Sequence, residues 1–163
     1  MGKVTFRNIV YKQDKLSVKE ILEKTSFFSE DEVDMALSLF DEYFEKGEKS
    51  GYNFIFILVD DKVVGYTCYG HIEATVSSYD LYWIAIDPKV QNLGLGHKLL
   101  EETEQVAVSR GAKNLYVETS STEKYNPTRQ FYQHNGFFLE AVLKGYYRED
   151  DDKCIYVKTL TKD

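Results

Sequence analysis

Hydrophobic and polar positions change period several times along this chain. From Val4 to Val10 they alternate as in a half-buried strand, and from Ser17 to Glu23 Val18, Ile21 and Leu22 gather on one side of a short helix. A longer helix is predicted next. Ser29 and Glu32 have capping-box spacing, Val33, Ala36, Leu37, Phe40 and Phe44 recur at helical intervals, and Lys46-Gly47 stops the run. Asn53 to Val59 and Lys62 to Tyr69 are β-rich runs separated by Asp60-Asp61, which predicts an antiparallel hairpin. Leu81 to Ile86 is nearly continuous in apolar character, as a strand covered on both faces would be, and Asp87-Pro88 ends it.

The second half of the chain continues in the same way. Between Gly94 and Arg110, Leu95, Leu99, Leu100, Thr103, Val106 and Ala107 form one stripe, and Gly111 supplies a C-terminal stop. Leu115 to Thr119 is a short strand, so strand, helix and strand make a right-handed parallel crossover. Asn126-Pro127 opens another helix, with Asn126 as N-cap, which ends near His134 before Asn135-Gly136. Phe138 to Tyr147 and Cys154 to Leu160 are strands flanking Arg148 to Lys153, a polar turn whose consecutive aspartates are expected to face water rather than a metal. This order predicts an α/β (α+β) fold with a mixed sheet.

Composition narrows the field. A chain of 163 residues, 43% hydrophobic, is of single-domain size and buries about 70% of its unfolded surface. No linker or repeat is evident, so one domain over residues 1–163 is expected. A net charge of −7 argues against an extended phosphate-neutralising surface, so nucleic acid is not an expected partner. The N-terminal segment lacks a secretory pattern and no run reaches eighteen apolar residues, which predicts a cytoplasmic location away from membranes. Cys68 and Cys154 lie inside strand-like segments and are expected to be reduced core thiols.

The chemistry centres on Gln91-Asn92-Leu93-Gly94-Leu95-Gly96, which joins the apolar strand to the strongest helix. The free amides of that helix start can converge on an anion, with the helix dipole behind them. A dinucleotide turn would need a third glycine where Leu99 stands, and a nucleotide-triphosphate loop would need Gly-Lys-Ser/Thr where Gly96-His97-Lys98 stands. Neither pattern is met.

Two further motifs give the turn its meaning. Ile84-Ala85-Ile86-Asp87-Pro88 precedes it, and Phe131-Tyr132-Gln133-His134-Asn135-Gly136-Phe137 follows. In this order they resemble the signatures of the GNAT superfamily of acyl-CoA-dependent N-acyltransferases. The resemblance extends from about Val4 to Leu160 and implies a mostly antiparallel sheet of about seven strands flanked by about four helices. It also implies acetyl-CoA as co-substrate, with no metal cofactor. The backbone of Ile84, Ala85 and Ile86 would pair with the pantetheine arm like an added strand. Gln91, Asn92, Leu93, Gly94, Leu95, Gly96, His97 and Lys98 would hold the pyrophosphate, with Thr128 and Arg129 as further neighbours of coenzyme A.

Tyr132 resembles the family's proton donor to the departing thiolate, and Glu118 occupies a position where some members carry a general base, a role that Glu73, Asp80 or Tyr82 could instead fill through water on the neighbouring face. Glu73, Asp80 and Tyr82 are candidates on the acceptor side, where carboxylates and an aromatic ring suit a cationic amine. One departure is that Tyr125, with Asn126 after it, stands where many relatives place an asparagine. Neither cysteine has a recognisable histidine and aspartate partner, which favours direct attack by an amine of a small molecule or peptide over an acyl-enzyme. A non-catalytic acyl-CoA-binding regulatory module is the alternative. Acceptor identity, acyl length and homodimerisation stay open at this stage.

Overall fold

The computed structural model describes residues 2–160 and contains, in chain order, β1 (Val4–Arg7), α1 (Asp14–Lys24), α2 (Glu30–Lys46), β2 (Asn53–Val59), β3 (Lys62–His71), β4 (Ser78–Ile86), α3 (Leu95–Ser109), β5 (Asn114–Ser120), α4 (Asn126–His134), β6 (Phe138–Arg148) and β7 (Asp151–Thr159). The strands follow the order β1-β2-β3-β4-β5-β7-β6 in a seven-stranded sheet. β4 and β5 run parallel, whereas β1 with β2, β2 with β3, β5 with β7 and β6 with β7 are antiparallel. This is the expected mixed, mostly antiparallel α/β architecture. Internal contacts divide the chain into two compact units, one comprising the chain to Gly70 with Trp83–Val106, the other His71–Tyr82 with the chain from Ala107.

In the first unit, α1 and α2 cover one face of β2 and β3. Val18, Leu22, Ala36 and Phe40 pack against Phe54, Phe56, Tyr66 and Cys68, and the Phe40 and Phe54 rings stack 4.3 Å apart. The Ser29–Glu32 capping box forms with both bonds present, at 3.1 and 3.0 Å. Phe44, expected on the buried stripe, is 37% exposed, in the last turn of α2. On the other face Thr67 donates to Thr103 of α3 at 2.7 Å, and Thr103 donates to the Leu99 carbonyl at 2.8 Å. A buried polar position on the α3 stripe is thereby satisfied.

Two boundaries differ from the sequence expectation because an ion pair sets them. β1 ends at Arg7, short of Val10, and α1 begins at Asp14, ahead of Ser17. The Asp14 carboxylate takes two bonds from the Arg7 guanidinium, at 2.7 and 2.9 Å, and a third from the Tyr11 amide at 2.7 Å. Arg7 also lies 4.6 Å from the Tyr11 ring centroid and 4.7 Å from that of Phe56. Asp14 is only 1% exposed, so its charge depends on these partners.

In the second unit, β7 lies between β5 and β6. β5 pairs with it from Asn114↔Thr159 to Ser120↔Lys153. α4 contributes Tyr132, whose ring packs against Phe131, Phe137 and Tyr156 at 5.4–6.4 Å between centroids. Asn126 is not the N-cap of α4: a 3-10 turn over Glu123–Tyr125 leads directly into the helix, so Asn126 is already helical and Tyr125 holds the cap position. Of the three aspartates expected in a solvated turn, Asp151 is instead buried in β7, where it accepts the Ser120 hydroxyl. Asp152 accepts the Gly145 amide at 2.8 Å and Lys144 at 3.2 Å. Both cysteines are buried free thiols, and no described helix is long and apolar enough to cross a membrane.

Two variants test this packing. Asp14→Ala leaves the Arg7 cation without its partner and is expected to lower unfolding free energy by about 3 kcal/mol in denaturant titration. The Tyr66 hydroxyl is fully buried with no hydrogen-bond partner; Tyr66→Phe removes that unsatisfied group and should leave stability unchanged or raise it by about 1 kcal/mol.

Candidate functional site

β4 stops where its backbone and one side chain are both consumed. The Asp87 amide donates to the Val64 carbonyl at 2.7 Å, while the Asp87 carboxylate accepts the Lys89 amide at 3.0 Å and lies 3.6 Å from Lys24. Pro88 then begins a 3-10 turn over Pro88–Val90. Gln91 reaches back, its side-chain amide donating to the Ile86 carbonyl at 3.2 Å. This folds the turn against the end of the strand. Asn92 and Gly94 have φ values of 65° and 78°, the left-handed region that glycine and asparagine tolerate best.

α3 starts immediately afterwards, its first intrahelical bond running from the Lys98 amide to the Gly94 carbonyl at 3.2 Å. The amides of Leu95 and Gly96 lie before that bond, without an intrahelical acceptor. Leu95 is buried and anchors the helix start, whereas Gln91, Asn92, Leu93, Gly94, His97 and Lys98 are exposed. His97 pairs with Glu101 at 3.5 Å along the exposed helix face. Ile84 is half-buried, and Ala85 and Ile86 are buried.

Gly65 explains how β3 accommodates this end of β4. The β2–β3 register shifts between Ile57 and Leu58, and a Cβ added at Gly65 would lie 2.8 Å from the Ala85 carbonyl oxygen and 2.5 Å from the Ile86 side chain. The close approach of backbone to backbone excludes any side chain there.

The second unit holds the remaining candidates. Tyr132 is 4% exposed, and burial pushes its phenol well above the ordinary range, so it stays a neutral donor. Arg129 is committed to the chain itself, one guanidinium nitrogen donating to the carbonyls of Ser120 and Thr122 at 2.7 and 2.8 Å. Thr128 is half-buried beside it. Asp80 faces Tyr116 in the last β4–β5 pair, and Glu118 follows two residues along the same face of β5. Burial, then the Glu118 charge, raises the Asp80 carboxyl to about 6, with Lys153 acting in the opposite direction.

Lys153 is the residue that sequence reasoning missed. It appeared to belong to a turn, but it lies within β7 opposite Ser120, with its ammonium 2.8 Å from Glu118 and 4.2 Å from the Tyr146 ring centroid. Burial opposes its charge, but Glu118 and Tyr146 outweigh that and raise its pKa. Tyr82 is 40% exposed. Glu73 lies on the exposed connection between β3 and β4 and is not among the charges acting on Asp80. Asp80 and Glu118 are therefore brought together, and Glu73 is not joined to them.

The model of the acetyltransferase (GNAT) family matches residues 16–137, a span that includes the turn, Glu118 and Tyr132. The chain belongs to this family. A solved GNAT-family protein from Desulfovibrio desulfuricans, assigned as an acetyltransferase, is 45% identical over 98% of this chain and 100% of its own, with a TM-score of 0.94. The GNAT fold is also shared with the ribosomal-protein-S18-alanine N-acetyltransferase of Escherichia coli, at 20% identity, 99% and 96% coverage and a TM-score of 0.76. PaiA N-acetyltransferase of Thermoplasma acidophilum, solved in complex with coenzyme A, is similar at 16% identity, 96% and 99% coverage and a TM-score of 0.75. No protein with a curated description matches by sequence.

The raised Asp80 carboxyl gives a pH test of this GNAT chain. A carboxyl raised in the folded state contributes stability that is present below its ordinary value of about 4 and lost as pH rises through its folded value. With that value at about 6, Asp80→Asn should raise the melting temperature at pH 7.5 and leave it nearly unchanged at pH 4. Calorimetry at the two pH values checks the difference.

Proposed function

We propose that this protein is an N-acetyltransferase that moves an acetyl group from acetyl-CoA to a primary amine of a small molecule or peptide. The observation that carries the reading is the start of α3. The Leu95 and Gly96 amides open the 15-residue helix beyond a turn shaped by Gln91, Asn92 and Gly94, within the span that matches the acetyltransferase family. Such a helix terminus suits a pyrophosphate. That a structural neighbour was solved with coenzyme A supports the same donor.

The residues divide the work as the family pattern implies. The Ile84–Ile86 backbone would hold the pantetheine arm by strand-like pairing. The turn from Gln91 to Lys98 would hold the pyrophosphate, with Lys98 adding positive charge, and Thr128 would line the donor side. Arg129 serves to brace the end of β5. Asp80, Glu118 and Tyr82 form the acceptor side, where negative charge and a ring attract an ammonium.

In the reaction the neutral amine attacks the thioester carbonyl in a ternary complex, while a backbone amide near Ile84 polarises the oxygen. The C–N bond forms, the C–S bond breaks, the Tyr132 hydroxyl donates to the departing sulfur, and the proton that the nitrogen loses ends on that sulfur, which gives an amide and a thiol. A thiol ionises near 8.5, so the thiolate needs only modest help. A buried phenol whose own proton is held more tightly than usual supplies that help as a hydrogen bond rather than by early ionisation.

Release of coenzyme A, measured with acetyl-CoA over a panel of amines, tests the reading. Turnover is expected with at least one primary amine, and absence of both acetyl-CoA binding and thermal stabilisation would sink it. Binding without turnover of any amine would mark a regulatory module instead. Tyr132→Phe should lower kcat by about 10²-fold and leave the Kd for coenzyme A unchanged by calorimetry. Gly65→Ala should weaken coenzyme A binding and lower the melting temperature together, because it displaces the Ala85 carbonyl.

A further inference from the structure

Two carboxylates stand side by side on the acceptor face of the second unit, and their surroundings are unequal. Glu118, its side chain 47% exposed, forms an ion pair with Lys153 at 2.8 Å, and the Lys153 side chain is 12% exposed. That ammonium is held from a second side by the Tyr146 ring, 4.2 Å away. Asp80, on the neighbouring strand, is half-buried, and its side chain has no hydrogen bond or ion pair among the described residues. It also occupies the final paired position of β4 with β5, opposite Tyr116.

We propose that Lys153 is a positioning residue that locks Glu118 into a fixed ion pair and so leaves Asp80 as the carboxylate that takes the proton from the attacking amine. This rests on the acetyltransferase reading and sharpens its chemistry. An ammonium N–H passes its proton to an Asp80 carboxylate oxygen, directly or through one water. The freed nitrogen lone pair then forms the C–N bond as the thioester C–S bond breaks, and the second proton that the nitrogen loses goes to the departing sulfur. Asp80 returns the proton to solvent after the product leaves, so the carboxylate is regenerated.

Charge supports this division of labour. Glu118 would have to leave the Lys153 ammonium behind in a largely buried position to accept a proton, which exposes a cation to desolvation without its partner. Asp80 gives up nothing of the kind. Its affinity for a proton is raised by burial and by Glu118 and tempered by Lys153, which brings it nearer to working pH, where a general base is most effective. The charged groups acting on it are Glu118 on β5 and Lys153 on β7, Tyr116 is its partner on β5, Tyr146 and Tyr147 on β6 interact with Lys153, and His71 on β3 contacts Tyr79. With Lys153 offsetting one of the two carboxylates, these three groups keep one net negative charge, which suits the ammonium that reacts.

The test is the pH dependence of kcat/KM for a primary alkylamine identified in the panel, measured with wild type, Asp80→Asn, Glu118→Gln, Lys153→Met and Lys153→Arg. Wild type should show an acidic limb near pH 6. Asp80→Asn should abolish that limb and lower kcat/KM at pH 7 by about 10²-fold or more. Glu118→Gln should move the limb to lower pH, Lys153→Met should move it to higher pH, and Lys153→Arg should restore its position. If Lys153→Met does not fold, the Arg variant and Glu118→Gln decide the matter. A limb abolished by Glu118→Gln, or retained in Asp80→Asn, overturns the assignment while leaving the acetyltransferase reading intact. Wild-type failure to acetylate any amine overturns both.

Discussion

A buried carboxylate at the end of β4 is the constraint from which the candidate donor site develops. Asp87 is 4% exposed, so its charge must be met locally, and the Lys89 amide and the Lys24 ammonium meet it. Its backbone amide is meanwhile held by Val64. With these bonds made, the chain leaves the strand at a fixed point, and Pro88 cannot continue the ladder. Gln91, folded back on Ile86, and the left-handed residues Asn92 and Gly94 then bring α3 in with the Leu95 and Gly96 amides uncommitted. The proposed anion site rests on the amides that this strand end leaves without an intrahelical acceptor.

The same principle in reverse describes the acceptor face. There, the unsatisfied group is a side chain. Glu118 and Lys153 neutralise one another across β5 and β7, Asp151 is absorbed by Ser120, and Arg129 is absorbed by two carbonyls. Asp80 is left partly buried without such a partner, and its carboxyl rises accordingly. Perturbed titration in an otherwise satisfied neighbourhood is a physical mark of a functional group.

Much of this could be read along the chain where the interactions are local. The α2 capping box, the β2–β3 hairpin, the apolar stripe of α3 and the glycine stop at Gly111 depend on residues within a few positions of one another. Misreadings arose where a distant partner took over. α1 starts at Asp14 because Arg7 and Tyr11 bind it, although the apolar stripe begins later. Asn126 has the composition of an N-cap, but the preceding 3-10 turn had already set the helix direction. Asp151 and Lys153 sit in a run of charges that looks like a solvated turn, and cross-strand pairing draws both into β7.

The sequence by itself determined the family and marked out the candidate donor side of the site. Strand end, glycine turn and helix start are contiguous, so their chemistry is written in consecutive residues from Ile84 to Lys98. Only the tertiary structure decided how the acceptor-side charges are shared. Asp80, Glu118 and Lys153 are far apart in the chain, and which carboxylate an ammonium neutralises depends on register between strands, a property that composition and periodicity do not carry. Burial then raises the Asp80 carboxyl, because the energy of a charge depends on what surrounds it in three dimensions.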